Sequence, residues 1–359
     1  MSDTARIRTF IGANSVKGSL SHRETLYDPL KTNRAVLIKG GAGNGKSTLM
    51  SRIALAAEGK GYGVERVYCP SDPKSLDGIV CRELGFAMTD ATPPHVAEPT
   101  VHCLPEVYLS LSSYVSDEVV KRKGEIIALN EELKNARKEA DKCIKAAYEA
   151  DSELLAEVLT YADTGGLCKS GRGLAKKYLP KGLRGSGEGS KMKRRFLSAI
   201  APDSLAAFPE TPYALCGQNA VTVALRDELG LSPFVLGSVC EEAERLGFEL
   251  WGFFDPLVIS RMVGVCIPEA GLCFLPEEFA RNPAEILDTG AGISQKGREE
   301  LGAKPEVLLS VRKALTDGSC EKLSLCLALH DKIEAEYRPY TDFSGLEALG
   351  EELCEKYVP

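Results

Sequence analysis

The chain has 359 residues and a formal net charge of -7, with 44% hydrophobic and 26% charged residues. That balance fits a soluble protein of two or three domains, each able to bury a core. The acidic total argues against a nucleic-acid partner held over the whole surface, and no apolar run is long enough to span a bilayer. None of the twelve cysteines stands in a C-x-x-C pair, so a zinc site is not expected from spacing. Stretches such as Val265–Cys266–Ile267 and Leu272–Cys273–Phe274 read as buried free thiols. With an opening (Met1–Arg6) that has no apolar signal core, they predict a reducing cytoplasm.

In chain order, Ala35–Lys39 is a short apolar strand, followed by a glycine-rich loop and a helix over Ser47–Ala57. Gly59, Gly61 and Gly63 end that helix. Val64–Cys69 reads as a second strand and Gly85–Thr89 as a third, buried one. This is the order of an α/β nucleotide-binding unit, over residues 1–115. A long polar helix spans roughly Ser116–Leu159, within a helical insertion over 116–167. Val119, Ile126, Leu133, Ala140, Ala147 and Leu154 recur every seven residues, with Leu129, Ala136, Cys143 and Ala150 as a second set. Such a heptad seam packs on its own chain or on a second copy as a homodimer.

Residues 168–194 are rich in Gly, Ser, Lys and Arg and read as a flexible basic linker, able to meet a polyanion or close over a bound phosphate. Beyond it, over 195–359, the first half recurs in weakened form. Arg8–Thr9–Phe10–Ile11 resembles Arg195–Phe196–Leu197, and Leu37–Ile38–Lys39–Gly40 resembles Ala214–Leu215–Cys216–Gly217. Ser71–Asp72–Pro73 with Glu83–Leu84–Gly85–Phe86 is echoed by Phe254–Asp255–Pro256 with Glu269–Ala270–Gly271–Leu272. Ala140–Asp141–Lys142 is echoed by His330–Asp331–Lys332. The reading is a duplicated α/β domain with mostly parallel sheets and a long helical insertion.

Gly40–Gly41–Ala42–Gly43–Asn44–Gly45–Lys46–Ser47 fits G-x-x-x-x-G-K-[ST] without a mismatch. The glycines let the backbone wrap phosphate, the successive N–H groups form an anion nest, and the helix start adds its positive dipole end. Lys46 is expected against the β- and γ-phosphates, and Ser47 on Mg²⁺ with Thr48 beside it. Asp90, closing the apolar run Gly85–Thr89, is the first candidate for the metal-side acid. Asp72 is the second, and Asp77 could lie nearby. His95 is a candidate to meet the acceptor or the γ-phosphate. In the second half, Gly217–Val223 places Val223 at the position of Lys46. An alternative alignment uses Ser232–Pro233–Phe234 before a helix at Leu236–Leu246, and neither restores Gly-Lys-Ser.

These residues resemble a family of uncharacterised bacterial ATPase-like proteins built from two tandem P-loop halves. The marks are the glycine loop, Cys69–Gly78, Asp90–Ala91–Thr92–Pro93–Pro94–His95, His330–Glu334 and Tyr340–Phe343. The resemblance covers nearly the whole chain. It implies a nucleotide-binding protein with two homologous halves and no particular substrate. The chain departs from the family pattern at Ala91, where glycine is usual, and in the lost second loop.

Two functions remain open from sequence. One is Mg²⁺-dependent hydrolysis or phosphoryl transfer, by an ATPase or kinase-like enzyme. The other is a nucleotide-gated interaction module acting on a small-molecule or protein partner. No guanine-selecting N-K-x-D motif stands at a strand end, so ATP is the default nucleotide.

Overall fold

The computed structural model describes residues 7–16, 18–93, 96–99, 104–186 and 191–359, with backbone alone at 18–21. Four strands come first: β1 (Ile7–Phe10), β2 (Gly12–Ser15), β3 (Gly18–Ser21) and β4 (Arg34–Lys39). Helix α1 (Lys46–Gly59) is followed by β5 (Glu65–Cys69), β6 (Asp72–Cys81), β7 (Phe86–Asp90) and β8 (Glu106–Ser110). Two helices follow, α2 (Lys123–Leu159) and α3 (Thr164–Tyr178). The chain then forms β9 (Lys193–Arg195), β10 (Ser198–Ile200), β11 (Leu205–Ala207), α4 (Thr211–Cys216), β12 (Val221–Arg226) and α5 (Ser232–Arg245). It ends with β13 (Trp251–Phe254), β14 (Met262–Ile267), β15 (Leu272–Pro276), β16 (Glu285–Asp288), α6 (Gln295–Leu301), α7 (Lys304–Tyr337) and α8 (Phe343–Tyr357).

The compact units do not follow chain order. Unit 1 is Met1–Lys142, Ala199–Ala206 and Gly318–Pro359; unit 2 is Cys143–Ser198 and Ala207–Asp317. The long helices α2 and α7 each contribute to both. The second unit therefore takes α3 from the middle of the chain, and the first takes α8 from its end. Contiguous boundaries at 115, 167 and 194 miss this exchange, because helix periodicity does not say which sheet a helix covers.

Unit 1 is built on a six-stranded sheet in the order β1-β5-β6-β7-β4-β8. Only β6 runs against its neighbours; β4 is parallel to both β7 and β8. Strand β4, next to the edge strand β8, reads Arg-Ala-Val-Leu-Ile-Lys and is buried along its apolar run, as a strand covered on both faces must be. Helix α1 lays Leu49, Met50, Ile53 and Ala57 on Val36, Ile38, Leu76, Ile79 and Met88, with Leu353 of α8 in the same core. Each large apolar side chain buried this way contributes about 1.5–3 kcal/mol. Strand β6 is absent from the sequence reading because Asp72–Pro73 presents as a turn signal.

Unit 2 carries a second six-stranded sheet, in the order β16-β12-β15-β14-β13-β9. Strand β12, next to the edge strand β16, is parallel to β15 and β16, and only β14 opposes its neighbours. Order and directions thus match the first sheet strand for strand. The pairing of β5 with β6 slips after Val67, and that of β13 with β14 slips after Phe253. Both 14-residue helices, α1 and α5, are followed two residues later by a glycine at positive φ, Gly61 at 90° and Gly247 at 78°.

Three sequence expectations are corrected here. Residues expected as a flexible linker from 168 form most of α3. Leu167, Gly171, Leu174 and Ala175 are its buried face, while Lys169, Arg172, Lys176 and Lys177 are exposed. A Cβ at Gly171 would lie 2.2 Å from the Val235 carbonyl, so glycine here permits the close approach of α3 to α5. Its glycine and lysine content hid an amphipathic helix. Ala214–Gly217 is the end of α4 and not a strand, so its match to Leu37–Gly40 fails. Ala140–Lys142 lies mid-way along α2 whereas His330–Lys332 is near the end of α7, so that echo has no structural counterpart. The heptad seam packs within the chain: in unit 1, Leu129, Leu133 and Ala136 meet Cys326 and Leu329 of α7. Among the described residues, no helix is long and apolar enough to cross a membrane.

Candidate functional site

The loop 40–45 leaves the C-terminal end of β4, where the chain passes to β5 on one side while β8 lies on the other. Such a switch point opens a crevice at a sheet edge. Gly43 and Gly45 take φ of 70° and 75°, the left-handed region that glycine enters at least cost. Gly45 then starts α1, and the first amides of a 14-residue helix face the loop. Asn44 is buried in the loop, and with its amide oriented to match donors to acceptors it would donate to Ala42 O at 3.0 Å and accept from Gly41 N at 3.3 Å.

Lys46 folds its ammonium into this loop. Its Nζ donates to Gly40 O at 2.8 Å and to Gly41 O at 2.7 Å, and stands 3.7 Å from Asp90 Oδ2. Asp90 ends β7, the parallel neighbour of β4, directly across from Ile38. The acid expected at a strand tip is therefore at the mouth of the loop. Its Oδ1 accepts from Thr92 N at 2.7 Å, and Thr92 Oγ1 both accepts from Gly40 N and donates to Gly40 O. The turn after β7 is thereby fastened to the first glycine of the loop.

Ser47 Oγ accepts from Leu76 N at 2.9 Å, which leaves its own hydroxyl proton free to donate elsewhere. Thr48 is exposed. Asp77, next to Leu76 in β6, is buried and shares with Asp90 an electrostatic attraction to Arg23. Asp72 opens β6 and accepts from Lys74 N at 3.2 Å, two strands removed from β4. The structure thus brings Lys46 and Asp90 together, fastens Ser47 to β6 one residue before Asp77, and leaves Asp72 at the start of β6. His95 lies outside the described residues.

Three contributors have no role assigned from sequence. Arg23 donates to the Asp90 carbonyl, and its Nη1 is buried without a hydrogen-bond partner. Burial lowers the Arg23 guanidinium from its ordinary value, against the opposing pull of Tyr27, Asp90, Asp77 and Glu106. Thr92 laces the loop as described. Glu334 of α7 accepts from Gly43 N at 3.0 Å, and His330 Nδ1 stands 3.7 Å from the same carboxylate. A carboxylate from nearly 300 residues away thus sits on a loop amide that the motif assigns to phosphate.

The matching loop of unit 2 has different contents. It runs from 227 to 231 between β12 and α5, five residues against the six of 40–45. Aligning the two 14-residue helices puts Ser232 at the place of Lys46 and Pro233 at that of Ser47. This selects the alignment through Ser232–Pro233–Phe234 and rejects Gly217–Val223, since Val223 is buried in mid-strand β12. Asp227 accepts from Leu231 N at 2.7 Å, Ser232 N at 2.8 Å and Thr289 Oγ1 at 2.6 Å. The helix start therefore already holds an anion of its own. Beside it, Arg261 packs within 2.9 Å of where a Cβ on Gly230 would be. Arg261 pairs with buried Asp151, which also accepts from Arg312 at 2.7 Å. Burial alone would raise the Asp151 carboxyl, but hydrogen bonds and attraction from both arginines outweigh it and hold it below its ordinary value.

Searches for kinship gave no support from outside the chain: no family model, no curated protein and no solved structure matches it.

Proposed function

We propose that unit 1 binds one Mg²⁺-nucleoside triphosphate, ATP by default, at Gly40–Ser47, and hydrolyses it or transfers its terminal phosphoryl group. The supporting observation is the placement of Lys46: its ammonium sits inside the glycine loop, 3.7 Å from the acid at the tip of the neighbouring parallel strand. Lys46 exchanges its two carbonyl partners for phosphate oxygens, Gly43 and Gly45 bring backbone amides close, and α1 presents its dipole. The hard oxygen donors of Ser47, Asp90 and Asp77 suit Mg²⁺, which would neutralise phosphate charge when bound. Arg23 holds the Asp90 backbone, and Thr92 keeps the acid in register with the loop.

Unit 2 is read as a degenerate copy of the same domain, a pseudo-NTPase partner. The matching strand order, the shared ladder slip and the paired glycines Gly61/Gly247 and Gly85/Gly271 support an internal duplication. The resemblance to two-halved ATPase-like proteins agrees with this reading.

A nucleotide-gated module with little turnover is the second reading, and Glu334 favours it. A triphosphate entering the loop repels and replaces that carboxylate, so binding is felt in α7. Phosphate release by the purified chain, compared with Lys46→Ala and Ser47→Ala, tests the enzyme reading. Turnover dependent on Lys46 supports it. Tight binding without turnover leaves the gated module, and no binding overturns both.

A further inference from the structure

Three cysteines distant in sequence meet in unit 2. Cys266 in β14 and Cys273 in β15 are direct partners across the antiparallel ladder, and both are fully buried. Cys216 is the last residue of α4, where Gly217 turns the chain at φ 91°. All three Sγ atoms lie within 4.8 Å of one another, and Cys266 Sγ is 3.3 Å from Cys273 Sγ. Three sulfurs around one ion at metal–sulfur bonds of about 2.3 Å stand ~3.8–4.0 Å apart. The Cys266–Cys273 separation is shorter than that and no Sγ pair exceeds 4.8 Å, so the three sulfurs lie about as far apart as ligands of one ion. Among the described residues, no imidazole or carboxylate belongs to the group. A purely thiolate donor set selects a soft cation over Mg²⁺ or Ca²⁺.

We propose that Cys216, Cys266 and Cys273 form a three-thiolate site for a thiophilic d10 cation, Zn²⁺ or Cu⁺, separate from the phosphate loop. Binding forms three metal–sulfur bonds, breaks three S–H bonds and releases three protons to solvent; no electrons are transferred. The cation offsets the cost of burying thiolates, which is prohibitive for uncompensated charge. Missing C-x-x-C spacing does not exclude such a site, because sheet pairing and a helix end supply the convergence.

The full chain, produced in zinc-supplemented and in copper-supplemented medium and purified under reducing conditions, is analysed for metal per chain. A Cys216→Ser variant, checked for native circular dichroism, is carried through both arms. About one equivalent of either metal in the parent, falling at least ~10-fold in the variant, is expected, and the arm that loads identifies the ion. Cobalt(II) added to the metal-free chain is expected to give sulfur-to-metal charge-transfer absorption, lost in Cys216→Ser. Equal metal in both proteins, no metal in either arm, or a Cys266–Cys273 disulfide in place of metal overturns the proposal.

Discussion

The loops after β4 and after β12 leave equivalent strands of two sheets with the same order, yet their contents are opposite. The first holds the Lys46 ammonium and lends its Gly43 amide to a carboxylate of α7; the second fills its helix start with the Asp227 carboxylate of its own loop. One residue of length separates them, together with Ser232 and Pro233 at the places of Lys46 and Ser47. If unit 2 is the degenerate copy proposed above, loss of an anion site is more than loss of a lysine: a carboxylate supplied by the chain satisfies amides that a phosphate would use.

The comparison can be broken at several points. The largest effect is expected at Asp151, which compensates Arg261 behind the second loop. Asp151→Asn leaves a buried guanidinium short of charge and costs about 3–5 kcal/mol in urea unfolding of unit 2. Because the folded carboxyl is held below its ordinary value, this stability is full above an unfolded pKa of about 3.9 and is lost as pH falls through the lower folded value. An acid-unfolding curve in which Asp151→Asn is as pH-dependent as the parent below about pH 4 would contradict that assignment.

Gly171→Ala is next. Alanine gains about 1 kcal/mol of helix propensity, but its methyl meets a backbone carbonyl at 2.2 Å that cannot rotate away. Overpacking of about 1–3 kcal/mol prevails, and thermal unfolding should show a lower Tm. Asp227→Ala removes the cap from α5 and costs about 1–2 kcal/mol without creating a nucleotide site, since no lysine is present to use it. Calorimetry showing nucleotide bound to that variant at a second site would break the contrast between the loops. The smallest effect is Glu334→Gln, which removes negative charge from Gly43 N and should tighten Mg²⁺-ATP binding by about 3–10-fold. Weaker binding would instead place Glu334 among the ligand's own contacts.

What could be read from sequence was local. The alternation of apolar strand, glycine loop and helix around Lys46 is contiguous, so β4, α1, β5, β7 and the tip position of Asp90 were all legible. Thr92 stood in the quoted motif, but its lacing to Gly40 depends on β7 lying beside β4. Arg23, Glu334 and the cysteine trio reach their places only through chain folding over long separations, which no periodicity records. The β6 strand hid behind an Asp–Pro pair, and α3 behind glycines that serve its packing. The register of the second loop stayed open between two placements because Gly217 ends a short helix at positive φ and so imitates a loop start.

The most direct measurement is calorimetric titration of the full chain with ATP and Mg²⁺, beside Lys46→Ala. One nucleotide per chain is predicted, with affinity about 10–100-fold weaker once the lysine is gone. Two nucleotides per chain, or binding indifferent to Lys46, would contradict an account in which only the first loop holds phosphate.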